Sequence, residues 1–168
     1  MTTRIVAACL CVVAGLGAIV GVATTAGPPD GYDVFHDRDV RVYLPTDFRT
    51  VRQGERDIIV GVVGPDRDRV QVATVPTRGR SLARYEQFTL QNVRAAAPDA
   101  QDLRREDVDV PGADEARRLS FHNPGRDRDV TMVIARDGER FVTLSVDVRG
   151  GSTALDEQTV EDSFAISG

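Results

Sequence analysis

Ala116-Arg-Arg-Leu-Ser-Phe121, Asp129-Val-Thr-Met-Val-Ile-Ala135 and Phe141-Val-Thr-Leu-Ser-Val-Asp-Val148 are three strand-like runs in close succession. In the last, Val142, Leu144, Val146 and Val148 share one face, the two-residue period of a β-strand. Asp137-Gly138 between the second and third is a tight hairpin turn. Strands joined so closely must pair antiparallel, so an antiparallel sheet is the predicted scaffold.

The upstream sequence continues the pattern. Val40-Arg-Val-Tyr-Leu44 alternates and is ended by Pro45. Ile58-Ile-Val-Gly-Val-Val63 is apolar throughout, as a strand covered on both faces would be. Val70-Gln-Val-Ala-Thr-Val75 follows the turn Gly64-Pro65-Asp66 and ends at Pro76. Between the two groups of strands stands the one long helical pattern. Ser81 caps it, Leu82, Tyr85, Thr89, Val93 and Ala96 form its apolar stripe, and Pro98 stops it. A weaker strand is predicted at Val108-Asp-Val110, before Pro111-Gly112. A closing helix follows Gly150-Gly151-Ser152, with Thr153 as cap, Asp156 and Glu157 in the first turn, and Leu155, Val160 and Phe164 inward. The predicted fold class is α+β: an antiparallel β-sheet, one long helix between two strand groups and a C-terminal helix.

This order resembles the PsbP-like α/β/α sandwich group, especially the small extracytoplasmic proteins of the LpqN and DcrB types. The stretches that carry the resemblance are Val40-Arg-Val-Tyr-Leu-Pro-Thr-Asp-Phe48, Ser81-Leu-Ala-Arg-Tyr85, the double hairpin over 116–148 and Val160-Glu-Asp-Ser-Phe164. That family often has tryptophan near the Phe48 position, and this chain has none. The resemblance implies a fold, an envelope setting and a binding or accessory role in a larger assembly. It carries over no catalytic set.

Location is read from the first 26 residues. Arg4 precedes an apolar run over residues 5–23 that holds no charge. At about 1.5 Å per residue this reaches roughly the 30 Å of a bilayer core. The run is longer than the apolar core of a signal peptide, yet Thr24-Thr25-Ala26 offers a cleavage site. An uncleaved anchor and a cleaved signal are both open. Each puts residues 27–168 outside, since Arg4 holds the N-terminal end in the cytoplasm. Val6-Ala7-Ala8-Cys9 has the residue types of a lipid-attachment box, but too few apolar residues precede Cys9. Residues 27–31 form a short linker, and residues 32–168 one extracytoplasmic domain.

Both cysteines, Cys9 and Cys11, lie in the apolar run, so the domain has no disulfide, cysteine nucleophile or cysteine metal ligand. Lysine is absent, and all 21 basic residues are arginine, against 26 acids. A net charge of −5 repels phosphate backbones, so nucleic acid is not the expected partner. The lack of tryptophan argues against a base- or sugar-stacking platform.

Candidate chemistry is thin. His36 stands beside Asp33, Asp37 and Asp39, and His122 near Asp127 and Asp129. These read as exposed loop histidines, and no metal site or cofactor is predicted. Asp-Arg-Asp recurs at 37–39, 66–68 and 127–129, each time just before an apolar strand. It reads as solvated turns that protect strand edges rather than as calcium ligands. Ser120 and His122 share one side of a strand, and Gly151-Ser152 lacks the frame of a nucleophile elbow. A hydrolase using Ser120 or Ser152 with His122 is the alternative to a binding module, and a small-ligand or metal-binding protein is a further one. Arg78, Arg80 and Arg84 cluster at a helix entrance, where backbone donors also point outward, and are the predicted ligand-binding residues. The expected function is a non-enzymatic binding or accessory module whose partner is another cell-envelope protein or component, with residues 5–23 in the membrane.

Overall fold

The computed structural model describes residues 27–37, 39–55 and 57–167. The expected export segment lies outside them. Among the described residues, no helix is long and apolar enough to cross a membrane.

The strands are β1 (Tyr32–Asp37), β2 (Val40–Pro45), β3 (Arg49–Glu55), β4 (Ile58–Val63), β5 (Arg69–Pro76), β6 (Gln101–Asp107), β7 (Glu115–Asn123), β8 (Arg128–Asp137), β9 (Arg140–Arg149) and β10 (Ala165–Ile166). The helices are α1 (Leu82–Ala96) and α2 (Glu157–Ser163). A seven-stranded antiparallel sheet runs β3-β4-β5-β9-β8-β7-β6, and a second sheet, beyond the one predicted, runs β1-β2-β10. The double hairpin is the long part of the large sheet: β7 pairs with β8 from Glu115↔Arg136 to Asn123↔Arg128, and β8 with β9 from Arg128↔Arg149 to Asp137↔Arg140. Gly138 takes a positive φ of 55° at the first position of the two-residue β8–β9 loop, as a II′ hairpin requires.

The two faces of the large sheet have different covers. Val60, Val62, Val70, Val72, Val133, Ala135, Val142, Leu144 and Val146 meet Val40, Val42 and Leu44 of β2, Val160 of α2, and Phe164 and Ile166. This is the larger core. The opposite face carries Leu119, Ile134 and Phe141, which pack against Leu82 and Leu90 of α1. Because side chains alternate, Phe141 and Val142 belong to different cores although they are neighbours in sequence. The C-terminal segment is pinned beside the loop after β6. Ile166 N donates to Pro111 O at 2.8 Å. A side chain at Gly112, whose φ is +83°, would run into the Ile166 carbonyl.

Several boundaries differ from expectation. The predicted strand at 108–110 lies after β6, whose sequence Gln101-Asp-Leu-Arg-Arg-Glu-Asp107 is exposed throughout. An outermost strand has no apolar face to show a period, whereas Val108 and Val110 are apolar because they pack against the larger core. Within Ile58–Val63, Val60, Gly61 and Val62 are buried in succession, so both faces are covered at the strand's centre. Gly61 on the other face lies near Arg52 and Gln71, beyond the reach of α1. The N-cap of α2 is Asp156 rather than Thr153.

Candidate binding site

Helix α1 lies across the sheet at β7, β8 and β9. Ser81 Oγ accepts from Arg84 N and caps it. Its axis residues are fixed from below: the Tyr85 ring stacks on Phe141 with centroids 4.3 Å apart. Of the predicted stripe, Leu82 and Thr89 are buried, Tyr85 and Val93 half-buried and Ala96 exposed; Glu86 and Leu90 complete the buried face. Each flank of the helix borders a groove.

The first groove holds about 380 Å3. Tyr85, Phe88, Val93 and Ala96 line it from α1, and Phe121, Val130 and Met132 from the sheet. Phe88 is 49 % exposed, uncommon for a phenylalanine in a stable core. Arg126, Arg128 and Asp147 stand at the end of this groove. Arg128 is committed: it donates to Asp147 Oδ1 at 3.1 Å and Arg67 O at 2.9 Å. Arg126 makes no ion pair among the described residues. The groove is thus apolar along its length with one uncommitted cation at its end. Concave, mostly apolar sites with few polar groups are where proteins hold ligands and partner side chains.

The second groove, of about 370 Å3, is lined mainly by charged and amide side chains, whose aliphatic stems form much of its wall. Gln87, Gln91 and Arg94 of α1 face Arg105 of β6 and Arg117 of β7. Glu86 is only 2 % exposed here. Its Oε2 accepts from Arg117 at 2.6 Å and its Oε1 from Arg105 at 3.3 Å. Hydrogen bonds from Glu86 and Asp107 push the Arg117 pKa further up.

The predicted ligand residues sit at the start of α1. Arg78 (φ +50°) and Gly79 (φ +74°) form a tight left-handed turn, closed by Arg80 N donating to Thr77 O at 3.0 Å. The Arg80 guanidinium donates to the carbonyls of Thr77 and Pro76, and its Cζ lies 5.5 Å from the Tyr85 ring centroid. It therefore braces the helix entrance and touches the first groove through Tyr85. Arg78 and Arg84 are exposed.

His36 and His122 are on strands β1 and β7, not in loops, and they lie in different sheets. His122 Nδ1 is 2.9 Å from Asp129 Oδ1, across the β7–β8 ladder. Ser120, His122 and Asp129 share a shallow polar recess of about 290 Å3 with Arg118 and Glu157. Ser152 is elsewhere and occupied: its hydroxyl donates to Asp68 Oδ2, while Asp68 Oδ1 accepts from Arg149 N at 2.7 Å. No group of three His, Cys, Asp or Glu side chains converges among the described residues.

The Asp-Arg-Asp repeats also differ from the solvated turns predicted. Asp68 is fully buried and ties the β4–β5 turn to the end of β9 and to Ser152 just after it. Arg128 is 3.8 Å from that carboxylate. Asp39 pairs with Arg140 of β9. Asp129 holds His122. The first two thus fasten elements distant in sequence, whereas Asp129 clips its own hairpin partner strand. Next to the third, Arg118 donates to Glu161 Oε1 at 3.1 Å. Burial outweighs that arginine and, with Glu157 nearby, pushes Glu161 up to about 7.

The fold is PsbP-like. The chain resembles the solution structure of the PsbP protein (CyanoP) from the cyanobacterium Synechocystis, with TM-score 0.59 and 15 % identity over 90 % of this chain and 98 % of that one. It also resembles LpqN of Mycobacterium tuberculosis, described as involved in cell envelope biogenesis, with TM-score 0.53 and 16 % identity over 82 % of this chain and 91 % of that one. The protein Mog1 matches with TM-score 0.53 and 13 % identity, over 80 % and 95 %. No family model matches the chain, and neither does any curated protein. At such identities the likeness speaks for the fold alone.

Proposed function

We propose that this protein is a non-enzymatic binding or accessory module of the bacterial cell envelope, exported or anchored by residues 5–23. Its binding site is the apolar groove between α1 and β7–β9. The observation that carries the reading is Phe88, a half-exposed aromatic at the lip of an apolar groove that ends in uncommitted Arg126. The occupant that fits is an apolar segment of another envelope protein, with an acidic residue placed to meet Arg126. The envelope setting rests on the charge-free apolar run over residues 5–23 and is in keeping with the setting described for LpqN, whose fold this chain shares.

A photo-reactive residue in place of Asn92, which lines the groove, tests this in intact cells. Amine cross-linkers are unsuited to a chain without lysine. One envelope protein captured from position 92, and no longer captured when Phe88→Asp or Arg126→Glu is added, supports the reading. Capture unaffected by either change rules out the groove.

The pair His122–Asp129 beside Ser120 favours one second reading, a serine hydrolase in which Asp129 orients the imidazole. A fluorophosphonate probe that labels the folded protein and fails on Ser120→Ala would establish it. Absence of labelling would leave His122–Asp129 as a cross-strand fastener.

A further inference from the structure

We propose that the arginine-lined groove on the other flank of α1 is a second site, one that binds an oxyanion such as a phosphate or carboxylate group. Three guanidiniums, Arg94, Arg105 and Arg117, surround it, and Ala83 and Leu90 contribute apolar lining. Two carboxylates answer them, Glu86 and Asp107, so one positive charge is left over in a chain of net charge −5.

The two carboxylates are placed differently from an anion's competitors. Glu86 is 2 % exposed, with both oxygens already engaged by arginine. It is an internal brace rather than a surface charge. Burying one carboxylate is costly unless it is paired, and here it has two cationic partners. Asp107 is bound to the opposite edge of Arg117, whose Nε donates to it at 2.9 Å. Arg117 is therefore held in place by two acids.

The binding capacity comes from the other two arginines. Arg105 spends one nitrogen on Glu86, at 3.3 Å, and its side chain stays 60 % exposed. Arg94 is exposed and has no ion pair among the described residues. A guanidinium offers five donors in a planar fork that matches phosphate and carboxylate geometry. The amides of Gln87 and Gln91 lie along the same helix face and add donors. Arg94, Gln91, Gln87 and Ala83 succeed one another at helical spacing, so one groove presents them all.

Titration calorimetry of the full chain at low ionic strength, with inorganic phosphate in one arm and citrate in the other, tests the site. Saturable binding in either arm is expected, and the arm that binds identifies the anion. Arg94→Ala should weaken it at least tenfold without lowering the unfolding midpoint, since Arg94 is exposed and makes no ion pair among the described residues. Arg105→Ala should weaken it as much and also lower the midpoint slightly, because Arg105 braces the buried Glu86. Arg84→Ala, on the same helix but at its entrance, should leave it unchanged. The proposal is overturned by no saturable heat in both arms, by binding that survives the Arg94/Arg105 double substitution, or by equal loss in Arg84→Ala. The last result would move the anion to the helix entrance.

Discussion

The two flanks of α1 rest on the same sheet and differ in almost every physical respect. One is walled by Tyr85, Phe88, Phe121 and Met132 and ends at Arg126, which makes no ion pair among the described residues. The other is walled by arginine and glutamine around a buried glutamate. The difference arises from how α1 crosses the strands. One side of the helix faces Phe121 of β7 and Val130 and Met132 of β8, which are apolar. The other side reaches β6, an edge strand whose residues are exposed and charged. A helix laid across a sheet toward its edge thus acquires one apolar and one ionic border from the same scaffold. The apolar border is held up by surfaces that need a partner to be fully buried. The ionic border pairs its buried glutamate internally and leaves Arg94 and much of Arg105 exposed.

The harshest way to break this comparison is to remove its common foundation. Phe141 is fully buried and stacks on Tyr85 beneath both flanks. Phe141→Ala should cost about 3–5 kcal/mol, read by denaturant unfolding, because it leaves a cavity in the smaller core. Next comes the ionic flank alone. Glu86→Ala should cost about 2–3 kcal/mol, below the roughly 3–5 expected when one partner of a fully buried pair is lost. The cost is lower because Arg105 remains solvated. A change within about 0.5 kcal/mol would mean that Glu86 braces nothing.

A smaller effect belongs to the sheet face that α1 does not touch. Glu161 has an ordinary value of 4.5 and a folded value of about 7, so the folded protein holds its proton more tightly than the unfolded chain. The stability contributed by protonation is complete below about pH 4.5 and is lost as pH rises through about 7. Urea midpoints should therefore fall between pH 5 and pH 8, and Glu161→Gln should flatten that slope. Glu86→Ala should leave the slope as it is, which separates the two acidic braces. The least effect on stability is expected on the apolar flank: Phe88→Ala should stay within about 0.5 kcal/mol of the parent. A larger loss would make Phe88 a core residue and the groove an ordinary packing seam.

Strand positions were largely legible, because alternating valines in β2, β5 and β9 carry a two-residue period that burial enforces. The helix was legible from Ser81 and the stripe after it. What stayed hidden was polar. Glu86 sits midway between Leu82 and Leu90 at four-residue spacing, the position of a core residue. Only its charge argued otherwise, and its partners Arg105 and Arg117 arrive from strands later in the chain. Asp68 was hidden for the same reason: Arg149, Ser152 and Arg128 reach it only after folding. The strands β1, β3 and β6 have at most one well-covered face, so they lack the pattern by which strands are recognised. The apolar groove left one trace in sequence, Phe88, an aromatic outside the predicted stripe of α1.

The measurement that tests the binding-module account most directly uses two residues of matched exposure, Phe88 at 49 % and Val51 at 46 %. Val51 lies on β3, at the far edge of the same sheet and away from α1. A photo-reactive residue is placed at each position in separate strains, irradiated in intact cells, and the adducts are identified by mass spectrometry. The account predicts an envelope-protein adduct from position 88 and none of that protein from position 51. Equal capture from both positions, or capture from position 51 alone, would contradict it.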